Sequence, residues 1–496
     1  MKVVYDYIII GSGLGGLSAG INLALNNKKV LILEKNSLPG GLVTTFKRGR
    51  FEFDTSLYDL YDYGSEENSG TIKNLFKKYD IDIETIQAPL NFKVKTENNE
   101  DYEVKGNIED FILELENLKN GSTESLKEFI AITKEVHEAL NKLKNNFSIN
   151  EEEYPRFNKY LRMNVIDALT DINMPKETIH RLGYLWLYIG SPLNKLNFID
   201  FAEFMYKFIF KKTYVLRNKN LDLILKMVNK FKEYNGNIYY NEEVINISDI
   251  NDLKLIITKT GNEYKCKHVI CNLSQRYVYK NLFKEPNLEV NKLENARTLS
   301  MNGVVVYLGL NKNHSNIGLN NYKYYHFNNI NSLLNIKNMN SLYHNIWEAT
   351  VPNVVNMNAS PNNTTILVLK TNYYDKTFNI TNINDYKKIK EDIALDLINQ
   401  FEETFNIDIR EYIEEIEIAT PLTFSRYTNN VNGSMLGYMR LGYDNSIHRL
   451  ISYKDEIQPK ISFVGGSSLF GGGADNAIYS GYYISKMLLK VGDNNE

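Results

Sequence analysis

The sequence predicts an α/β protein whose nucleotide-type domain is split between the two ends of the chain and interrupted by a second, α+β domain. Three observations predict it. A strand, a glycine turn and a helix open the chain; a strand, a glycine-rich turn and a helix close it; the residues between are helical at first and mixed afterwards.

Residues 7–10 read as a buried strand, 17–26 as a helix, and 30–33 as a second buried strand ending on Glu34, which together make one βαβ unit. Between the first strand and the helix, Gly11, Ser12, Gly13, Leu14, Gly15 and Gly16 satisfy GxGxxG. Gly11 allows the tight turn, Gly13 lets a pyrophosphate approach the backbone, and Gly16 lets the helix pack on the strand. The helix N-terminus offers amide donors and partial positive charge to phosphates. Glu34, with Lys35 beside it, stands where a carboxylate can accept both ribose hydroxyls. The run is not a secretion signal, because Asp6 interrupts it and five glycines fall within residues 11–20.

After Glu34 come Gly40, Gly41, Leu42 and Thr44, then Phe51, Glu52, Phe53 and Asp54. Over 107–145 the apolar residues Phe111, Leu115 and Leu118, and later Phe129, Ile132, Val136 and Leu140, recur at helical spacing, and helical character continues irregularly to about residue 210. A helix from residue 221 leads into strands through 255–257 and 269–271. Residues 303–310 and 364–369 read as strands and 386–405 as a helix. The close is a strand at 461–465, a glycine-rich turn at 465–473 and a helix over 477–489.

At 496 residues the chain is too long for one core, so two or more domains are expected. A formal charge of −3 gives no concentrated basic face for nucleic acid. Cys266 and Cys271 are the two cysteines, too few and too isolated for a disulfide framework or a zinc site, so no metal is expected and a reducing cytoplasm is the default. No apolar run reaches the roughly 20 residues of a membrane-spanning helix.

These motifs resemble the phytoene desaturases, carotenoid isomerases and retinol saturases, within the wider amine-oxidase-like FAD superfamily. The resemblance starts at Gly40 and Gly41 and recurs along nearly the whole chain. Residues 236–244 are similar to the family strand whose last residue, here Val244, meets the adenine through its backbone. Residues 269–274, with Asn272 in the turn, are similar to its next strand. Thr420, Pro421, Thr423, Arg426 and Tyr427, followed by Gly433 and Gly437, resemble its TPxTxxRY signature. Gly472, Gly473, Asn476 and Ala477, with Ser480 and Gly481, resemble its C-terminal GGG…A..SG motif, in which a helix N-terminus points at the flavin N1–O2 edge. The resemblance implies FAD, held also by Gly465 and Gly466. Two departures stand out. Asn218, Lys219 and Asn220 replace a Gly-Gly pair, and the FDxG element reads Phe53, Asp54, Thr55, Ser56, followed by the polar and aromatic Tyr58, Asp59, Tyr61 and Asp62.

The resemblance implies a two-dinucleotide-binding-domain flavoprotein with a discontinuous FAD domain (1–90, 214–280 and 445–496) and a substrate domain (91–213 and 281–444, helical over 107–213). It implies an FAD-dependent oxidoreductase acting on carbon–carbon bonds of an apolar isoprenoid, carotenoid or lipid-like molecule, by desaturation, saturation or isomerisation. Candidate proton donors or acceptors are Tyr58, Asp59, Arg426 and Tyr427; Asp59 could equally cap a turn and Arg426 hold an ion pair. The aromatic segment 198–212 reads either as a buried core helix or as an interfacial helix giving peripheral membrane contact. Two alternatives stand beside this reading. One is a flavin amine oxidase, against which Leu42 replaces the Arg that commonly follows the Gly-Gly pair. The other is a non-catalytic prenyl or lipid carrier on the same fold.

Overall fold

The computed structural model describes residues 3–96, 101–145, 148–285, 295–327, 346–373, 382–452 and 459–493, with isolated positions 290 and 292. Two seven-stranded sheets organise the described residues. The first is parallel at its centre: Val4–Ile10 lies between Val30–Leu33 and Glu263–Cys271, with Asn237–Tyr239 outside the former and Ile461–Phe463 outside the latter. Strands covered on both faces read as continuous apolar runs, and all of Val30–Leu33 is buried. Val244–Ile250 and Leu253–Thr258 extend this sheet as an antiparallel pair.

One face of the sheet carries three helices, Leu14–Leu25, Asn220–Glu233 and Ala474–Asp493. The first begins inside the glycine motif, at Leu14 rather than residue 17, because the small residues there already take helical geometry. The last begins three residues ahead of expectation, at Ala474. First and last helices touch backbone to backbone: a Cβ on Gly481 would sit 2.2 Å from the Gly15 carbonyl oxygen and 2.8 Å from the Ala19 nitrogen. Asn22 then donates to Ser485 Oγ at 2.9 Å. Gly481→Ala, which in an exposed helix would stabilise by about 1 kcal/mol, is therefore expected to destabilise by about 1–3 kcal/mol. Thermal unfolding reads this, and a raised Tm contradicts it.

The second sheet runs Ile413–Ala419, Asn302–Leu310, Thr365–Tyr373, Ile346–Thr350, Lys323–Phe327, Leu90–Thr96, Asp101–Gly106, antiparallel except between Lys323–Phe327 and Leu90–Thr96. Of its strands, Asn302–Leu310 and Thr365–Tyr373 are the two that the sequence pattern predicts. Alternation sorts the side chains. Val304, Val306, Leu308, Trp347, Leu367 and Leu369 pack on the helix Ile383–Phe405. The opposite face, with Val305, Lys323, Glu348, Val368 and Lys370, turns to a cavity shared with the first sheet.

Helices between Ile108 and Tyr206 close the far end of that cavity over a large apolar cluster. Within them, Phe198–Tyr206 starts on buried Asn197, whose side chain accepts from the Ile199 and Asp200 amides, and runs into a π-turn over Lys207–Lys211. Phe198, Ile199, Phe201, Met205, Phe208 and Ile209 are buried. No helix among the described residues is long and apolar enough to cross a membrane.

Candidate active site

One cavity of about 390 Å³ runs from the glycine turns to the second sheet. Gly11, Gly13, Leu14, Gly15, Glu34, Lys35, Gly40, Gly41, Leu42, Val244, Asn272, Gly465, Gly466, Gly472, Gly473, Asn476 and Ala477 all line it, so segments far apart in sequence converge. Gly16 lies behind the lining, where a Cβ would strike the Gly11 carbonyl oxygen at 2.2 Å. Thr44 also lies outside it: its amide donates to Thr55 Oγ1 at 3.1 Å, and its buried hydroxyl has no partner among the described residues.

The nucleotide end fits a dinucleotide on its own geometry. The helix Leu14–Leu25 has Gly13 as N-cap, no side-chain cap and no acidic residue in its first turn, which leaves its leading amides open to an anion. At Gly41 φ is +62°, and a Cβ would meet only Gly13 Cα, at 3.5 Å, so the space above it belongs to the cavity. Glu34 is 4% exposed. Its Oε2 accepts from the Ser12 amide at 2.9 Å and hydroxyl at 2.7 Å, and its Oε1 from the Asn36 amide and side chain at 2.9 Å. Four donors occupy the carboxylate's usual capacity, so accepting ribose hydroxyls there requires the Ser12 hydroxyl or the Asn36 amide group to yield.

The return motif is held to this end through its backbone. Lys35 Nζ donates to the Arg426 carbonyl and to Asn429 Oδ1, both at 2.6 Å, and Asn36 donates to the Tyr427 carbonyl at 3.0 Å. These contacts satisfy carbonyls at the end of the helix Pro421–Thr428. Burial lowers the Lys35 ammonium, partly countered by Glu243 and Glu34. Of the candidate proton carriers, Arg426 is exposed and outside the lining, with its guanidinium over the Tyr427 ring; Tyr427 lines the cavity at 54% exposure. Tyr58 lines it too, but its hydroxyl donates to the Asp54 carbonyl at 2.6 Å, and burial pushes that hydroxyl well above its ordinary pKa.

Asp59 is brought to a charged floor. It pairs with Lys323 and accepts from Tyr322 at 3.0 Å and Tyr61 at 3.2 Å. Beside it, Lys370 pairs with Glu348 at 2.8 Å. Burial would neutralise both Lys323 and Glu348; Asp59 overcomes it for the lysine, and Lys370 with Lys323 for the glutamate, so both stay charged.

The sequence reading missed a second charged group. Asp200, Glu203 and Lys207 line the cavity from one helix and its π-turn. Lys207 Nζ lies 3.1 Å from Asp62 and 3.6 Å from Glu203, and Glu203 accepts from His137 at 2.9 Å and pairs with Lys144 at 3.4 Å. Burial opposes the Glu203 charge, but Lys144, Lys207 and His137 hold its pKa far below the usual carboxylate range. Buried Arg440 donates to the Gly472 carbonyl at 3.1 Å, and its Nε has no partner among the described residues. The signal for the helical set was an acid and a lysine four apart, Glu203 and Lys207, on an otherwise aromatic segment.

Asp475, in the first turn of Ala474–Asp493, is 9% exposed; it accepts from the Tyr61 amide at 2.9 Å, and its Oδ1 has no partner among the described residues. Burial and then the charge of Asp62 push its carboxyl up to about 7, against the pull of the Tyr61 amide and Lys207. Because its folded pKa is raised, the stability it contributes is complete below about pH 4 and is lost as pH rises through 7. Asp475→Asn is expected to gain on the natural protein between pH 5 and pH 8 by a few kcal/mol. Urea unfolding across that range checks it; parallel curves contradict it.

Residues 9–77 match the NAD(P)-binding Rossmann-like domain family. The chain is 32% identical over 139 residues to prolycopene isomerase 2 of an Oncidium hybrid cultivar, a match covering 28% of this chain and 24% of that protein. The matched stretch is thus about a quarter of that relative's length. Prolycopene isomerase of Daucus carota is 24% identical over 87% of this chain and 71% of its own length. All-trans-retinol 13,14-reductase of Danio rerio is 22% identical over 87% and 77%. Among solved structures, an oxidoreductase from Methanosarcina mazei superposes with a TM-score of 0.64 at 12% identity, covering 98% of this chain and all of that one. Cyclohexylamine oxidase from Brevibacterium oxydans superposes with a TM-score of 0.62 at 11% identity, covering 98% and 100%. Sequence and fold together bear out the resemblance read from the motifs: the chain is similar in sequence to prolycopene isomerases and all-trans-retinol 13,14-reductases, and it shares its fold with solved oxidoreductases such as cyclohexylamine oxidase.

Proposed function

We propose that the chain is an FAD-dependent oxidoreductase that changes carbon–carbon bonds of an isoprenoid, carotenoid or lipid-like molecule by desaturation, saturation or isomerisation. The observation that carries it is the single cavity in which glycine turns from both chain ends meet the face of the second sheet. The uncapped amides after Gly13 would bind phosphate, Glu34 the ribose, Val244 the adenine side, and the N-terminus of Ala474–Asp493 the flavin ring. A bound flavin supplies hydride acceptance or donation at N5. The residues do the rest. Leu187, Ile189, Phe204, Val305 and Val368 line the cavity with apolar surface that takes a hydrocarbon body and excludes water. Asp475 holds a proton near neutral pH on a carboxyl whose Oδ1 is uncommitted, which suits it to give a proton to substrate or take one. Delivery from a membrane through 198–212 would have to use residues other than the buried aromatic ones.

The test is anaerobic mixing of the flavin-loaded protein, oxidised and photoreduced, with isoprenoid polyenes, followed by mass and geometry of the products. A change in the number or geometry of double bonds is expected. Reduction of the flavin by amines and not by polyenes would favour amine oxidation.

A further inference from the structure

The cavity floor is not the surface a bare hydrocarbon needs. Lys323, Glu348 and Lys370 stand on neighbouring strands, Glu348 directly opposite Lys370 and its register partner Tyr325 two residues from Lys323. Asp59 closes the group from the segment after the second glycine pair. The side chains of Asp59, Lys323 and Glu348 are 5%, 11% and 14% exposed, and all four groups line the cavity.

Two features decide what such a floor accepts. First, two cations face two carboxylates, so the formal charge of the group cancels. Second, hydrogen-bonding capacity is left over. An ammonium carries three donors, yet among the described residues Lys323 donates to Asp59 and Lys370 to Glu348 Oε1, while Glu348 Oε2 takes no donor. The rings of Tyr188 and Tyr322 lie 5.0 and 5.2 Å from Lys323 Nζ and offer it only their faces. A hydrocarbon laid over these groups strips their water and returns no partner. An anion gains the lysines but meets Asp59 and Glu348. An uncharged hydroxyl or carbonyl accepts a hydrogen bond from a lysine, and a hydroxyl also donates one to Glu348.

We propose that the substrate carries an uncharged oxygen function, hydroxyl or carbonyl, which docks on the Asp59–Lys323 and Glu348–Lys370 pairs while its hydrocarbon body lies along the apolar wall. This rests on the reading of the cavity as the site of a flavin and an isoprenoid-type substrate. The site discriminates as buried polar sites do, by leaving its own groups unpaired when the oxygen is missing.

The experiment titrates the flavin-loaded protein with three probes of one skeleton: geranylgeraniol, geranylgeranoic acid, and the hydrocarbon lacking the oxygen. Binding is read from perturbation of the flavin spectrum and independently by calorimetry. The alcohol is expected to bind tighter than either other probe by about tenfold or more, the scale of one buried hydrogen bond left unmade. Two paired variants, Glu348→Gln with Lys370→Met and Asp59→Asn with Lys323→Met, remove each pair without stranding a buried charge. Each is expected to bring the alcohol toward the hydrocarbon without loosening the flavin, and at least one keeps the test usable if the other misfolds. Equal or tighter binding of the hydrocarbon, tightest binding of the acid, no binding of any probe, or a preference that survives in the variants would overturn the inference. A colourless protein that still prefers the alcohol by calorimetry would overturn the flavin reading and support the docking site.

Discussion

Gly41→Leu is expected to fold and to lose its flavin. The position has φ +62° and lines the cavity, and a Cβ there would meet only Gly13 Cα, at 3.5 Å. The added atoms therefore enter the space beside the GxGxxG turn rather than the core. The left-handed conformation adds about 1 kcal/mol of strain, which a chain of this size survives. The affinity for FAD is expected to fall at least about a hundredfold, since the backbone can no longer be approached. Circular dichroism confirms the fold, and the ratio of flavin to protein absorbance with an FAD titration reads the loss. A variant that stays folded and keeps full flavin occupancy would take the cofactor out of this cavity.

The second large effect concerns stability. Lys207→Met removes the cation between Asp62 and Glu203, whose side chains are 4% and 12% exposed. Asp62 keeps the Thr71 amide, and Glu203 keeps His137 and Lys144, but Asp62 has no other ion-pair partner among the described residues. Burial works against the Lys207 charge, and Asp62, Glu203 and Asp475 together raise its pKa regardless. Removing one partner of a buried pair costs about 3–5 kcal/mol, whereas removing both costs far less. Chemical denaturation should show that loss in the single variant and recovery of much of it in Lys207→Met with Asp62→Asn. A single variant within 1 kcal/mol of the natural protein would mean that water already shares this site.

The two chain ends were legible because their information is local. A glycine turn between a buried strand and a helix fixes its own geometry, which made Gly11, Gly13 and Glu34 readable locally, while Gly472 and Asn476 came from the family resemblance; all five line the cavity. Gly16 and Thr44 show where local reading stops, because which side of a turn faces a ligand depends on what packs behind it. The charged floor is different. Lys323, Glu348 and Lys370 come from separate strands and become neighbours only through the sheet register. The available signal was Lys370 ending the apolar run of Thr365–Tyr373 in phase with Val368. Arg426 and Tyr427 were drawn into the candidate set by a motif whose backbone, tied to Lys35 and Asn36, carries the contacts seen here. The segment 198–212 spends Phe198, Phe201 and Phe208 on the core and turns Asp200, Glu203 and Lys207 to the cavity; composition alone does not separate that from an interfacial helix.

The most direct test of the central claim is the visible spectrum of the purified protein before and after denaturation. The account predicts the two absorption bands of an oxidised flavin, a spectrum altered by the folded protein, and release of FAD when the chain unfolds. A colourless protein that also takes up no FAD when it is supplied would contradict it.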